Sequence, residues 1–144
     1  MNHFLGVVSR GRRVSVDALG KNYWCFYRKT PANKNDLLLI YTAGIGIDQL
    51  YTVSRTEVEP RLECKLRNMQ TAEISLIGKF PTPITYNDLA EHNTLSYFPP
   101  VKRRFQMTTF TIEDEFWPLL TQFLLKQNPD LDKSIASYFK SKKW

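Results

Sequence analysis

The sequence predicts an α+β domain built on one small, strongly bent β-sheet, a pseudo-barrel flanked by short helices. The chain has 144 residues, which suits a single domain. Its first two thirds hold several short apolar or aromatic runs separated by turn residues, whereas helical patterns are concentrated towards the C-terminus. Strands that precede the helices, instead of alternating with them, favour an α+β over a doubly wound architecture.

The central prediction is a hairpin of two strands. The run over 36–43 is almost continuously apolar, which is typical of a strand buried on both faces. The glycines of 44–46 then turn the chain back towards a second strand over 49–53. The remaining strand predictions are 3–9, 23–28, 61–67, 72–76 and 105–112.

The sequence predicts three helices from the residues that mark where each one starts or stops. Thr85 and Asp88 have the spacing of a capping box with Asp in place of Glu, so a short helix runs to about His92. A second helix spans 113–127, with acidic residues at its start and Asn128-Pro129 as its stop. Asp130 or Asp132 caps a last helix, and the basic segment 140–144 frays. We therefore divide the chain into a domain over 1–128 and a helical, basic tail over 129–144.

Composition points to a binding partner. The chain carries 20 Lys and Arg against 14 Asp and Glu, and 13% of its residues are aromatic. Cations hold phosphates and flat rings stack on bases, so this balance favours nucleic acid, with a basic enzyme as the alternative. The sequence has no apolar run long enough to span a bilayer and no signal-peptide pattern at its start. We expect a cytoplasmic protein that is not bound to a membrane.

Motifs for catalysis and metal binding are absent from the sequence. It has no P-loop, no Gly-x-Gly-x-x-Gly and no Gly-x-Ser-x-Gly. Cys25 and Cys64 lack metal-ligand spacing and are not expected to form a disulfide framework, so Cys25 is interpreted as a small buried hydrophobe. Two histidines do not suggest a His-rich metal site. We predict no catalytic residue, no metal and no cofactor.

Basic residues stand next to aromatic ones at three places in the sequence. A turn over 10–13 holds three arginines, Lys21 precedes Tyr23 and Trp24, and 102–104 is basic before Phe105. Guanidinium forks suit phosphate oxygens, and aromatic faces suit bases. Because neighbours on a strand point to opposite faces, only one of Tyr23 and Trp24 is expected to enter a given pocket. The alternatives are solvated turns and aromatic residues packed in the core.

The order of these pieces resembles the EVE domain family over roughly 3–128. EVE domains often begin with a strand like "WIGVVSR", followed by Gly-Lys, an apolar strand, a "pI...L" stretch and "FQGT...I...W". The matching segments here are Phe4-Leu5-Gly6-Val7-Val8-Ser9-Arg10, Gly20-Lys21, the strand Leu37 to Thr42 after Asn35-Asp36, Pro83-Ile84 to Leu89, and Phe105-Gln106-Met107-Thr108 with Ile112 and Trp117. The sequence departs from the pattern at Phe4, Gly11-Arg12-Arg13, Asn35 and Met107. These departures bear on the ligand more than on the fold.

The resemblance implies both a fold and a function. EVE domains are similar to YTH and ASCH domains within the PUA-like group, which implies a PUA-like mixed β pseudo-barrel with short helices at its sides. Many members of the group bind RNA or DNA, YTH domains hold a methylated base in an aromatic cage, and EVE domains are proposed to read modified bases. The YTH pattern "I-W-C-S" resembles the segment over 23–26 and places Trp24 at the position of a cage tryptophan.

The sequence therefore predicts a module that binds DNA or RNA through a modified base. The predicted base pocket comprises Trp24, Tyr23, Ser9, Phe4, Tyr41 and Thr42. The predicted phosphate contacts are Arg10, Arg12, Arg13, Lys21 and Arg104. One alternative is an ASCH-type hydrolase of a modified nucleoside that uses Lys21 and Thr42. The other is a protein-interaction module that docks through its C-terminal helix.

Overall fold

The computed structural model describes residues 1–105 and 107–139, and its main feature is a curled, six-stranded mixed sheet with short helices around it. The α+β prediction is thereby confirmed. The strands are β1 (His3–Val8), β2 (Tyr23–Phe26), β3 (Leu37–Thr42), β4 (Gly46–Arg55), β5 (Gln70–Ile84) and β6 (Thr109–Ile112). The helices are α1 (Leu62–Leu66), α2 (Tyr86–Glu91), α3 (Pro99–Lys102), α4 (Trp117–Gln127) and α5 (Lys133–Ala136), with 3-10 turns at Leu95–Tyr97 and Ser137–Phe139.

The strand order is β2-β5-β4-β3-β1-β6, so β2 and β6 are the two edges of the sheet. β1 and β3 pair in parallel, and the other four pairs are antiparallel. β3 lies in the interior of the sheet and all six of its residues are buried, which confirms the prediction from its apolar run. The predicted hairpin with β4 is also confirmed, because Thr42 pairs with Gly46 across the turn.

Side-chain alternation along the strands builds a separate core on each face of the sheet. Leu5 and Leu39 belong to a large cluster that α2, α3 and α4 cover. Phe4 and Leu38 belong to a second cluster made of strand residues together with Val14 and Ala32 from the loops. No described helix contributes to this second cluster, because the curl of the sheet encloses its concave face.

The predicted strand over 61–67 is wrong, because this segment forms α1. Leu62 and Leu66 are four residues apart, so they share one side of the helix, where they are 70% and 78% exposed. Cys64 is buried on the other side and forms a disulfide with Cys25 of β2. The expectation that the two cysteines form no disulfide framework, with Cys25 as a small buried hydrophobe, is therefore also wrong. Their separation of 39 residues carries no sequence signal for the pairing.

The disulfide bears on the predicted compartment. Disulfides are rare in the reducing cytosol and common in oxidising compartments. A cytoplasmic location thus stays a prediction that this bond does not favour. In the parts of the chain that the structure describes, no helix has the length and apolar character needed to cross a membrane.

The predicted capping signals operate largely as expected. Thr85 Oγ1 accepts from the Asp88 backbone N–H, and the Asp88 carboxylate accepts from the Thr85 N–H, which confirms the capping box of α2. α4 begins only at Trp117. In the turn before it the N–H groups of Phe116 and Trp117 both donate to the Glu113 carbonyl, and Pro118 has no N–H to donate to the Asp114 carbonyl. Asp132, not Asp130, caps α5 by accepting from the Ser134 N–H.

The segment before β6 differs from its prediction. The strand expected over 105–112 occupies only Thr109–Ile112, and α3, which the sequence analysis missed, precedes it. Arg103 and Arg104 lie in the turn that ends α3 and do not lead directly into a strand. Gln106 and the tail over 140–144, which we predicted to fray, lie outside the described residues.

The C-terminal elements pack against the domain. Phe139 is buried beside Phe80 and Trp117, and Ile135 contacts Gly78 of β5. Trp117 stacks on His3 with ring centroids 3.9 Å apart, and burial lowers the pKa of His3. Trp117 therefore links the first strand, the last long helix and the C-terminal segment.

We expect Trp117→Ala to lower the free energy of unfolding by about 3–5 kcal/mol, because it removes a buried ring and leaves a cavity. Leu125→Ala is the control, since Leu125 is on the same helix but is 36% exposed, and it should cost about 1 kcal/mol or less. Urea denaturation of both variants measures the difference. Equal losses would contradict the placement of Trp117 in the core.

Candidate functional site

The two edges of the sheet meet through side chains. The indole Nε1 of Trp24 on β2 donates to Thr109 Oγ1 on β6 over 2.9 Å, and Thr109 Oγ1 donates to the Cys25 carbonyl over 3.1 Å. Nearby, the hydroxyls of Tyr27 and Thr108 are 3.3 Å apart and share a hydrogen bond. Side chains thus bridge β2 and β6 where the backbones do not pair, and a gap remains between the strands.

Gly6 fixes the position of the Trp24 ring. A Cβ placed on Gly6 would lie 2.5 Å from Cζ2 of Trp24, so any side chain at this position would displace the indole. Trp24 is half-buried and packs against the concave core. The tryptophan therefore has a structural role as well as any role in binding.

A cavity of about 500 Å³, which we call the edge cleft, lies where these edges meet. It is bordered by the end of β1, the loop that follows it, β2, α1 and the residue before β6. Its lining residues are Val7, Val8, Ser9, Arg12, Arg13, Ser15, Tyr23, Trp24, Cys25, Glu63, Arg67 and Thr108.

Both Tyr23 and Trp24 line the edge cleft, so the expectation that only one of them enters a pocket is wrong. The two side chains do point to opposite faces of β2. However, β2 is an edge strand and the cleft lies beside that edge, where it is accessible from both faces. The cleft thereby gains two aromatic walls instead of one.

The rim of the edge cleft is positively charged. It carries the guanidinium groups of Arg12, Arg13 and Arg67 and a single carboxylate, that of Glu63. This carboxylate accepts hydrogen bonds from the Tyr23 hydroxyl at 3.2 Å and the Ser15 hydroxyl at 3.4 Å. All four charged residues are exposed to solvent, so an anionic ligand can reach them.

Two local features hold the loop that carries Arg12 and Arg13. The Arg12 N–H donates to the Ser9 carbonyl over 3.0 Å, and Gly11 has a φ of 76°, as a tight turn with glycine in its third position requires. Further on, the Asp17 carboxylate accepts from the Lys21 backbone N–H and pairs with Arg61 at 3.2 Å. The hydrogen bond from Lys21 lowers the pKa of Asp17, so this anchor stays ionised at neutral pH.

Five of the predicted site residues come together at the edge cleft: Ser9, Arg12, Arg13, Tyr23 and Trp24.

Three predicted base-pocket residues do not line the edge cleft. Phe4 is only 1% exposed and packs on Phe26 in the concave core. Thr42 is buried and donates to the Asp48 carboxylate over 3.0 Å. Tyr41 faces the helix-covered side of the sheet and lines a different cavity. Burial keeps Phe4 and Thr42 out of the cleft, and strand alternation places Tyr41 on the other face of the sheet, so the assignment of these three residues to one pocket with Trp24 is wrong.

The predicted phosphate contacts are also divided. Lys21 is exposed and pairs with Glu73 at 3.6 Å, outside the edge cleft. The Arg10 guanidinium lies over Gly44, where a Cβ would be 2.7 Å from Nε. Arg104 lines the same cavity as Tyr41. Only Arg12 and Arg13 border the edge cleft, so the five cations do not form a single cluster.

Sequence reasoning missed Glu63 and Arg67. Glu63 lies on α1 and Arg67 directly follows it, and the disulfide between Cys64 and Cys25 holds that helix against β2. The alternating pattern over 61–67 had instead predicted a strand, and the chain offers no local signal that brings this segment to the cleft. Among residues 1–105 and 107–139, no group of three or more His, Cys, Asp or Glu side chains is placed to bind a metal ion.

Comparison with known proteins shows the fold alone. No family model matches the chain, and no curated protein matches it. Protein Atu2648 of Agrobacterium tumefaciens is similar with a TM-score of 0.66 and 14% identity, covering 86% of this chain and 93% of that one. Rpa0253 of Rhodopseudomonas palustris is similar with a TM-score of 0.65 and 16% identity, covering 92% and 96%. The architecture is therefore shared, at identities that carry no statement about function.

We expect Thr109→Val to cost about 1–3 kcal/mol, because it leaves the Trp24 N–H and the Cys25 carbonyl without their partner in a buried place. Thr111→Val is the matched control, since Thr111 is exposed on the same strand and should change stability by about 0.5 kcal/mol or less. Urea unfolding measures both variants. If the two have the same stability, the bridge between the sheet edges does not hold the fold closed.

Proposed function

We propose that this chain is a PUA-like domain of the EVE type that binds nucleic acid and holds a modified base in the edge cleft. The observation that carries the proposal is the combination, in one cavity, of two aromatic walls with three arginines on the rim. The resemblance of the first strand and of the segment around Trp24 to EVE and YTH domains supports the same function. We propose binding without turnover.

The edge cleft suits a base in size and in chemistry. Its volume of about 500 Å³ lies within the range of about 300–1,000 Å³ that small-molecule pockets occupy. Tyr23 and Trp24 supply aromatic surface, and stacking a base on such a surface contributes about 1–3 kcal/mol. A base turned out of its strand would exchange its neighbours in the stack for these rings.

Glu63 suggests which bases fit. A carboxylate accepts hydrogen bonds from an exocyclic amino group, such as N4 of cytosine or N6 of adenine. The hydroxyls of Ser9 and Ser15 can donate or accept along the rest of the polar edge. A methyl group on the base would meet apolar surface from Val7 and Val8, a gain of about 1 kcal/mol or about fivefold in affinity.

The hydrolase alternative lacks a comparable arrangement. Lys21 is paired with Glu73, and Thr42 is bonded to Asp48. Neither residue lines the edge cleft, although both would have to meet a substrate there. Turnover of an acylated cytidine by the purified protein would favour this alternative over binding alone.

A binding titration tests the proposed function. We expect single-stranded oligonucleotides that carry one methylcytosine, hydroxymethylcytosine or methyladenine to differ in affinity from matched unmodified strands, with one modification preferred. Trp24→Leu and Tyr23→Leu should each reduce that preference to about twofold or less, because a π-face is lost while apolar volume remains. Thermal melting verifies that each variant is folded.

Tyr97→Leu is the control for these variants, since Tyr97 is an exposed aromatic residue outside the edge cleft, and it should keep the preference. Equal affinity of the protein for every modified and unmodified strand would contradict base reading. A preference that survives both Trp24→Leu and Tyr23→Leu would place the base elsewhere.

We also expect a change in salt dependence when Arg12, Arg13 and Arg67 are replaced together by Gln. Each lost phosphate contact on a single strand lowers the slope of log affinity against log salt by about 0.7, so the slope should fall by about 2. The control triple variant replaces Lys29, Lys34 and Lys126, which are exposed and do not line the cleft. If both triple variants lower the slope equally, the effect comes from net charge alone, and the arginines on the rim of the cleft do not contact the phosphates.

A further inference from the structure

A second cavity lies directly beside the edge cleft. It has a volume of about 480 Å³ and is lined by Val7, Tyr41, Ala43, Gly44, Tyr86, Arg104 and Phe105. Val7, near the end of β1, lines both cavities, so only the end of this strand separates them. The two cavities are therefore neighbours at the end of β1.

Aromatic rings form one side of the second cavity. Tyr41 and Phe105 stack with centroids 3.7 Å apart and planes 3° from parallel. Tyr86 meets Phe105 edge-on, with centroids 6.0 Å apart. Tyr41 is buried, whereas Phe105 and Tyr86 are half-buried and leave part of their surface to the cavity.

The charge around the second cavity is positive. Arg104 lines it, and the Arg10 guanidinium lies over Gly44, another of its lining residues. No described residue that lines it is acidic. Arg10 comes three residues after the shared Val7, so one cation stands close to the boundary between the two cavities.

The backbone at Arg104 gives an independent indication of function. α3 ends in a Schellman motif, in which the Phe105 N–H donates to the Pro100 carbonyl and the Arg104 N–H donates to the Val101 carbonyl. Arg104 occupies the position of that motif where glycine is preferred, with a φ of 52°, and Phe105 follows with a φ of 55°. Two consecutive left-handed residues with side chains cost conformational free energy that glycine would avoid. Such strain is concentrated at binding sites, and here it belongs to the two residues that bring charge and a ring to the cavity.

We propose that the second cavity holds the nucleotide next to the one in the edge cleft, so that the domain binds two consecutive nucleotides of a single strand. This inference rests on the proposed function. The neighbouring base contacts the rings of Phe105 and Tyr86, and Arg10 and Arg104 bind the phosphate groups beside it. A nucleic-acid single strand repeats a flat base and an anionic phosphate at adjacent positions. The two cavities repeat aromatic rings and arginines in the same way.

The test compares ligand lengths. The probes are the nucleoside monophosphate of the modified base preferred in the titration above and the two dinucleotides that carry this base at the 5′ or the 3′ position. We expect wild-type protein to bind one dinucleotide about tenfold or more tightly than the monophosphate, as a second stacked base implies. Equal affinities would overturn the inference.

Two variants test whether the second cavity causes the dinucleotide gain, that is, the ratio by which the dinucleotide binds more tightly than the monophosphate. Phe105→Leu removes the aromatic ring. Arg104→Gly removes the positive charge and places glycine, the preferred residue, at the left-handed position of the Schellman motif. The melting temperature of Arg104→Gly should therefore equal or exceed that of the wild type. Each variant should reduce the dinucleotide gain to about threefold or less and leave the affinity for the monophosphate unchanged. Arg103→Gln is the control, because Arg103 carries the same charge on the same turn but does not line the cavity.

The outcomes separate the two proposals. If the preferred modified base still binds in the edge cleft but neither Phe105→Leu nor Arg104→Gly changes the dinucleotide gain, the second subsite is wrong and the proposed function stands. If the protein binds neither the monophosphate nor either dinucleotide, and no oligonucleotide in the titration, both are wrong.

Discussion

The hydrogen bonds that run from Trp24 to Thr109 to the Cys25 carbonyl are the interaction on which the rest of the structure depends. β2 and β6 are the opposite ends of the strand order, so these bonds join elements that no ladder of backbone pairs connects. They hold the mixed sheet in its curled, half-barrel form. They also enclose the concave core, whose aromatic and aliphatic residues would otherwise face solvent on a sheet without helices on that side.

The same closure creates the edge cleft. Where side chains bridge two edges in place of the backbone, the strands stay far enough apart for a cavity, and both faces of β2 border it. The Cys25–Cys64 disulfide then holds α1 at the cleft and brings Glu63 and Arg67 to its rim. Gly6 of β1, the strand that pairs with β6, also shapes the cleft, since any Cβ there would push the Trp24 indole out of its place. The features that hold the fold closed and the features that shape the cleft are thus largely the same residues.

Features encoded by local sequence could be predicted, and features that depend on long-range contacts could not. The apolar run of β3, the hairpin to β4 and the Thr85–Asp88 capping box follow from adjacent residues, and the structure confirms them. α1 was mistaken for a strand because its leucines alternate with charges, and its helical state depends on contacts with β2 far along the chain. α3 is only four residues long and has no periodic pattern to detect. In the candidate site, Ser9, Tyr23 and Trp24 were predicted from a motif. Phe4 and Tyr41 were misassigned because the motif encodes neither the burial of Phe4 in the core nor the face of the sheet that Tyr41 takes.

The most direct test of the central claim, that nucleic acid binds between β2 and β6, uses the Trp24 indole N–H as a reporter. In an NMR titration of ¹⁵N-labelled protein with a single-stranded oligonucleotide carrying the preferred modified base, the Trp24 indole cross-peak should shift in proportion to saturation. The Trp117 indole, which lies in the helix-covered core, should not shift. Saturable binding that leaves the Trp24 cross-peak unchanged would contradict the account, because a base in the edge cleft must contact the side chain that closes it.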